Sequence, residues 1–284
     1  MAVTTMKGPC YRSLCMQSES VNNLERPQVV CADVDGTVIA SDLLYESLLF
    51  AIKRDFSTVF FLPFWLLRGR AYLKQRLAER TEGLAVELLP LNNAVVSYLK
   101  AAADSGQRVL LASASDTRLV ERLADQFDFV SGVIASDGST NRKGAEKARA
   151  IHATIGDVSW EYIGDSAADF DVWREANSVV CVASRPSFAR SVQRRFPDAA
   201  VIEREPFSLG VALRELRVHQ WLKNVLVFAP LVLAHKWFDA AGWGMAIGAG
   251  ISFSLCASGV YLLNDLLDLE ADRRHPGQDQ PDPL

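Results

Sequence analysis

The sequence has no excess of positive charge, few cysteines and no long apolar run near its start. Its net charge is −4 and its pI is near 5.7, so a nucleic-acid binder has no electrostatic support. The five cysteines are scattered and lack the spacing of metal ligands, which favours reduced thiols in a cytosol-facing protein. Residues 1–27 lack the apolar core of roughly 7–15 residues that a signal peptide needs, so we expect a disordered leader there.

Short β-branched runs alternate with helical patterns in the first two thirds of the chain. Buried-strand patterns occur at 28–37, 108–115, 129–136, 160–166 and 178–184. Helical patterns lie between them, at 118–127, 143–155 and 167–176. Strands that alternate with helices predict an α/β fold, a doubly wound parallel sheet with helices on both faces. Ligands of such sheets bind outside the carboxyl ends of the strands.

Four of these segments carry polar residues suited to one phosphoryl-transfer site. These are Asp33 and Asp35 after the first strand, Ser113 in the second, Lys143 before a helix, and Asp165 and Asp169 after the fourth. Asp33 and Asp35 lie on one side of an extended strand, because side chains repeat every two residues. They can divide the roles of nucleophile and acid/base, while Ser113 and Lys143 hold the phosphate and Asp165 offers a hard oxygen to Mg²⁺. The alternative for the first motif alone is a turn after a strand.

These residues resemble the haloacid-dehalogenase (HAD) phosphatase superfamily over about residues 28–185. "DVDGT" is similar to its first motif, "LLASAS" to its second, the lysine of "NRKGAEKA" to its third and "GDSAAD" to its fourth. The resemblance implies that Asp33 becomes an aspartyl-phosphate and that Asp35 protonates the leaving group and activates water. It also implies Mg²⁺ held by Asp33, the backbone carbonyl of Asp35 and Asp165, with Asp169 supporting that shell.

The helical segment between the first two motifs matches a cap of this family, at about 41–104. A cap excludes water and selects the substrate. Its basic residues are interpreted as solvated surface charges, with contact to an anionic substrate as the alternative: Lys53, Arg54, Arg68 and Arg70.

A second apolar feature lies near the C-terminus. Residues 240–263 form a run of 24 without a charged side chain, longer than the roughly 20 residues that cross a bilayer. With the shorter run 221–234 it predicts an antiparallel transmembrane hairpin, and a buried core helix is the alternative. Basic residues flank both outer ends, which predicts an integral membrane protein with its N-terminal domain in the cytoplasm. They are Arg214, Arg217, Lys223, Arg273 and Arg274.

Acidic residues follow this run at helical spacing. Asp265, Asp268 and Asp272 lie on one helix face with Asn264 beside them, which suits either Mg²⁺ and diphosphate or an ordinary acidic helix end balanced by arginines. "YLLNDLLDLEADRRHP" resembles the first aspartate-rich motif of the UbiA prenyltransferase superfamily. "VHQWLKNVLVFAPLV" is most similar to the branch that uses phosphoribosyl diphosphate and polyprenyl phosphate.

The UbiA resemblance covers residues 214–276 and implies that Lys223 and Asn224 lie near the same pocket. The family has about nine membrane helices and a second aspartate motif, whereas this sequence offers two helices and ends in "GQDQPDPL". We therefore expect a truncated or frame-shifted product of a longer fusion. The expected regions are a leader (1–27), a HAD-like domain (28–200), a linker (201–218), the start of a UbiA-like domain (219–276) and an atypical tail (277–284).

The leading hypothesis is a membrane-tethered, Mg²⁺-dependent phosphohydrolase that acts on a phosphorylated small molecule. The first alternative makes the front domain accessory to a UbiA-type transferase that acts on polyprenyl phosphate and phosphoribosyl diphosphate. The second is a non-catalytic membrane anchor or assembly module.

Overall fold

A computed structural model describes residues 26–137, 142–204, 218–235 and 237–274 of the chain. Within these ranges the side chains of residues 218–220, 222, 223 and 270–272 are not described. Nearly all of the predicted leader, most of the linker and the whole of the tail lie outside the described residues. The predicted roles of Lys223 and Asp272 rest on side chains that also lie outside them.

Six parallel strands form one sheet, in the order β3-β2-β1-β4-β5-β6. The strands are β1 (Val29–Ala32), β2 (Arg108–Asp116), β3 (Val130–Ser136), β4 (Trp160–Gly164), β5 (Ser178–Ala183) and β6 (Ala200–Glu203). The order reverses at β1, so the sheet is doubly wound and the predicted α/β fold class is confirmed. Strand β6 was not predicted from the sequence; it lies at the start of the predicted linker and adds an edge strand beside β5.

The helices are α1 (Leu43–Arg54), α2 (Thr58–Leu67), α3 (Arg70–Ala78), α4 (Asn93–Asp104), α5 (Thr117–Ala124), α6 (Ala145–Ile155), α7 (Phe170–Trp173), α8 (Pro186–Arg195), α9 (Ala229–Leu233) and α10 (Ala240–Arg274). Among the described residues, 3₁₀ helices lie at Val86–Leu88, Ala167–Asp169 and Val218–Phe228.

Alternation along β1 divides the core into two layers. Val30 and Ala32 face α4 and α5, whereas Val29 and Cys31 face the layer that contains α6, α7 and α8. All four residues are buried, which explains why the strand is continuously apolar.

Helices α1, α2 and α3 follow β1 in the chain and form a cap beside the main body of the sheet and its covering helices. Their own small core contains Ala51, Trp65 and Leu77. Helix α4 belongs instead to the sheet layer, since Val95 and Leu99 join the cluster that covers β1. The predicted cap range of 41–104 therefore includes one helix of the main body, because apolar periodicity alone does not show what a helix packs against.

The C-terminal segments pair in an antiparallel arrangement. Trp221 Nε1 donates to Ser258 Oγ (3.0 Å), and Asn224 Nδ2 donates to Ser254 Oγ (2.8 Å). Among the described residues one helix, α10, is long and apolar enough to cross a membrane, over residues 240–269. Only 17% of its most apolar window is buried, which disfavours the alternative of a soluble core helix.

Candidate functional site

Asp33 lies where β1 ends and is buried. Its backbone N–H donates to the carbonyl of Ile163 in β4 (2.9 Å), which extends the sheet by one residue and fixes the position of Asp33. The carboxylate Oδ1 accepts from the N–H of Val34 (2.8 Å). The other oxygen faces the interior of the site.

Asp35 is held by three donors from two elements. Its Oδ1 accepts from the N–H of Leu43 at the start of α1 (2.7 Å). Its Oδ2 accepts from the hydroxyl groups of Ser115 (2.7 Å) and Ser113 (3.2 Å) in β2. Ser113, predicted as a phosphate ligand, thus contacts Asp35. The sequence analysis gave Ser115 no role, although the spacing of two residues places it on the same face of β2 as Ser113.

Asp165 and Asp169 approach Asp33 from the end of β4. One carboxylate oxygen from each of the three residues lies within 4.8 Å of the others. Asp169 is fixed in a capping box, because its Oδ2 accepts from the backbone N–H (3.0 Å) and the hydroxyl (2.9 Å) of Ser166. The turn after β1 allows this approach only because residue 36 is glycine at φ +76°, where a Cβ would collide with Asp165.

A buried lysine, Lys147 of α6, neutralises part of this charge. Its Nζ lies 2.9 Å from Asp33 Oδ2 and 3.8 Å from Asp169 Oδ1, and it donates to the hydroxyl of Tyr162 (2.9 Å). The sequence analysis assigned the cation to Lys143, which is exposed at the rim of the same cavity. Lys147 lies four residues later, within α6, and faces the sheet; the apolar residues Ala148 and Ile151 on the same helix could have indicated this position.

Burial and mutual repulsion shift the pKa values of the acids. Burial raises the pKa of Asp33 to about 7, with Asp169 and Asp35 adding to the rise and Lys147 opposing it. Burial raises the pKa of Asp165 to about 6, again with a contribution from Asp169. For Lys147, burial acts to lower the pKa, but the attraction of Asp33 and Asp169 prevails and raises it. The site therefore concentrates more negative charge than its single buried lysine offsets.

An open cavity of about 530 Å³ lies over these acids. Three cations line it besides Lys147: Lys74 from the cap, Lys143, and Arg204 after β6. Lys74 Nζ donates to the carbonyl of Ala114 (2.6 Å), and burial lowers its pKa. Arg204 donates to the carbonyl groups of Gly36 and Ala40, both at 3.0 Å. Sequence reasoning assigned no role to Lys74 or Arg204, because each reaches the site through tertiary packing.

The second predicted constellation lies at the end of α10. Asn264 Nδ2 donates to Asp268 Oδ2 (3.2 Å), and both side chains are exposed, whereas Asp265 is half-buried. Asn224 is bonded to Ser254, ten residues before Asn264 on the same helix. Over the described parts of the chain, a grouping of at least three acids, histidines or cysteines that could hold a metal ion occurs only at the site of Asp33, Asp165 and Asp169, called the front site below.

No protein-family model matches the chain. The chain is 31% identical over 259 residues to the uncharacterized protein y4nM of Sinorhizobium fredii, an alignment that covers 88% of this chain and 48% of y4nM. It is 40% identical over 88 residues to a decaprenyl-phosphate phosphoribosyltransferase of Mycobacterium tuberculosis, covering 27% of each chain. The nodulation protein NoeC of Azorhizobium caulinodans is 42% identical over 62 residues, 22% of this chain and 20% of NoeC. The chain thus spans about half the length of y4nM and a smaller share of the other two.

Solved structures similar to the chain include HAD hydrolases. A HAD family hydrolase from Salmonella enterica serovar Typhi aligns with TM-score 0.45 and 14% identity, covering 72% of this chain and 79% of that one. A haloacid dehalogenase-like protein from Streptococcus pneumoniae aligns with TM-score 0.45 and 14% identity, covering 63% and 95%.

Proposed function

We propose that the chain is a Mg²⁺-dependent phosphohydrolase of the HAD type. The observation that carries this proposal is the arrangement at the end of β1. Asp33 is paired with Lys147 at 2.9 Å, and Asp35 is oriented two residues away by Leu43, Ser113 and Ser115. This arrangement supports Asp33 as the nucleophile and Asp35 as the acid/base.

The proposed reaction proceeds in two displacements. A carboxylate oxygen of Asp33 forms a bond to phosphorus, the bond to the leaving oxygen breaks, and Asp35 gives that oxygen a proton. Water then attacks the phosphorus of the aspartyl-phosphate while Asp35 accepts its proton, which releases phosphate and regenerates Asp33. Lys147 favours the ionised form of Asp33 and fixes the orientation of one of its oxygens.

The residues present fit a divalent cation. Three carboxylates face one another within 4.8 Å, and the pKa values of Asp33 and Asp165 are raised. Lys147 therefore offsets only part of the negative charge of the cluster. Asp33, Asp165 and Asp169 would hold Mg²⁺, together with the backbone carbonyl of Asp35, which the family resemblance predicts as a ligand. Mg²⁺ prefers hard oxygen ligands of this kind. Bound there, the ion would neutralise charge on the phosphate oxygens.

The cavity suits a small phosphorylated substrate. Its lysines and arginine, Lys74, Lys143 and Arg204, surround the acids and match a phosphate group's charge. Lys74 belongs to α3 of the cap and lines the cavity, so the cap would contact the bound substrate directly through it. We propose that Lys143 contributes to phosphate binding as the sequence predicts; the same role for Ser113, whose hydroxyl donates to Asp35, stays a prediction.

We propose further that α10 anchors the chain in a membrane, with the hydrolase in the cytoplasm. The supporting observations are the exposure of its apolar run and the partial similarity to a phosphoribosyltransferase that acts on decaprenyl phosphate. On this proposal residues 219–276 begin a UbiA-like domain whose Asn264, Asp265, Asp268 and Asp272 bind Mg²⁺ and diphosphate. The relevant substrates would be polyprenyl phosphate or phosphoribosyl diphosphate, with the front domain accessory to the transfer.

The test of the hydrolase is an Asp33→Asn substitution in the full chain in detergent. We expect it to abolish Mg²⁺-dependent release of phosphate from an aryl phosphate, because an amide is a poor nucleophile. Asp198→Asn, an exposed acid before β6, is the matched control and should keep full activity. Full activity in Asp33→Asn would refute the assignment of the nucleophile.

A further inference from the structure

The cap carries an exposed stripe of large apolar side chains on α2. Phe60, Phe64 and Leu67 are spaced by four and three residues, so they lie on one helix face, and they are 68%, 66% and 85% exposed. Phe56, in the turn before the helix, is 68% exposed and meets Phe60 edge to face at 6.4 Å. A contiguous apolar patch of this kind marks an interaction surface.

The opposite side of α2 is fixed to the cap. Trp65 is 9% exposed, stacks on Phe61 at 6.0 Å and lies under the guanidinium of Arg80 at 4.9 Å. Thr58 is buried and accepts from Arg80 (2.9 Å). These contacts fix the rotation of the helix, so the outward stripe is a consequence of packing on the inner side.

The cap is also tied to the apolar helix α10. Arg273 makes a two-pronged ion pair with Glu46 of α1, at 2.9 and 3.1 Å, and Glu46 is buried. Arg273 lies four residues beyond Leu269, where the candidate membrane span of residues 240–269 ends, a distance of about 6 Å along a helix. If α10 crosses a bilayer, this ion pair therefore holds the cap next to the bilayer surface.

The size and charge of α2 fit a position within that surface. Its ten residues extend about 15 Å, half of a hydrocarbon core of about 30 Å, so the helix is too short to span. Basic residues flank it on both sides, with Lys53 and Arg54 before it and Arg68 and Arg70 after it. Apolar side chains between basic flanks are typical of helices that lie at the interface with anionic lipids.

We propose that the stripe of Phe56, Phe60, Phe64 and Leu67 inserts into the lipid surface, as a second membrane contact besides α10. The cap of the hydrolase then sits on the bilayer. This inference rests on the proposed membrane attachment through α10, and the experiment separates the two.

The test places the photo-crosslinking residue benzoylphenylalanine at position 64 of the full chain. The chain is reconstituted in vesicles of phosphatidylcholine and phosphatidylglycerol, irradiated and examined by mass spectrometry for lipid adducts. The same residue replaces Phe253, which is 60% exposed on α10, as the positive control. It also replaces Arg194, exposed on α8 of the main body, as the negative control.

We expect lipid adducts at positions 64 and 253 and none at 194, with a several-fold lower yield at 64 when phosphatidylglycerol is omitted. Lipid adducts at 253 without any at 64 would overturn this inference and leave the membrane attachment standing. Adducts at 64 to a second copy of the chain would overturn it in the same way. Absence of lipid adducts at both 64 and 253 would overturn the inference and the attachment together.

Discussion

Replacing Lys147 with methionine removes the buried cation of the front site while nearly conserving volume. In the native chain its Nζ lies 2.9 Å from Asp33 and 3.8 Å from Asp169, and it is bonded to Tyr162 at 2.9 Å. The side chain is 4% exposed, so water cannot replace the lost ammonium. Lys147→Met therefore leaves two carboxylates buried against each other.

Removing one partner of a buried ion pair costs about 3–5 kcal/mol. For a domain of this size, that corresponds to a fall in Tm of roughly 6–20 °C. The pKa of Asp33, already raised to about 7 by burial, should rise further because the opposing charge of Lys147 is gone. A smaller fraction of Asp33 is then ionised at neutral pH, and phosphate release should fall steeply.

The assay compares Lys147→Met with Lys143→Met in the full chain, by thermal melts and by Mg²⁺-dependent phosphate release. Lys143 is exposed at the cavity rim, so its loss should change stability by less than about 0.5 kcal/mol. Mg²⁺ should restore stability to Lys147→Met more than to the native chain, since it supplies the missing positive charge. Native stability and activity in Lys147→Met, with both properties lost in Lys143→Met, would refute the buried-cation reasoning.

Two further predictions concern the same acids. Because the folded-state pKa values of Asp33 (about 7) and Asp165 (about 6) exceed their unfolded values, the folded state binds more protons, and stability without Mg²⁺ should fall as pH rises from about 4 to 7. Melts across that range, with Asp165→Asn as a variant of reduced slope, check this. Gly36→Ala should lose activity and more stability than Gly106→Ala, since both positions have positive φ (+76° and +87°) but only a Cβ at 36 meets Asp165; equal losses of stability would contradict the steric argument.

Sequence patterns predicted the sheet and the closeness of its acids for a general reason. Parallel strands end at one edge, so acids that follow β1 and β4 in sequence meet in space, as Asp33, Asp165 and Asp169 do. The β-branched runs were also long enough to separate five strands from the helices between them. The short strand β6 was not predicted, because its four residues follow a basic helix and show no alternation of apolar and polar residues that would distinguish a strand.

The lysine of the site shows the limit of motif reasoning. Lys143 and Lys147 are four residues apart in "KGAEK", on either side of the start of α6, and a sequence motif alone cannot tell which of them enters the core. Packing decides, because α6 turns Lys147 toward β4 with Ala148 and Ile151. The same holds for Lys74, which comes from the cap and meets β2 only in the folded chain.

Arg273, near the other end of the sequence, is a second case in which packing decides which group a charged side chain binds. From sequence, Arg273 and Arg274 could balance the acids at the end of α10. In the structure Arg273 binds Glu46 instead, 227 residues away, with both of its terminal nitrogens. Its charge is therefore committed to the cap. No local pattern signals such a pair, because its geometry exists only after the cap and α10 have packed against each other.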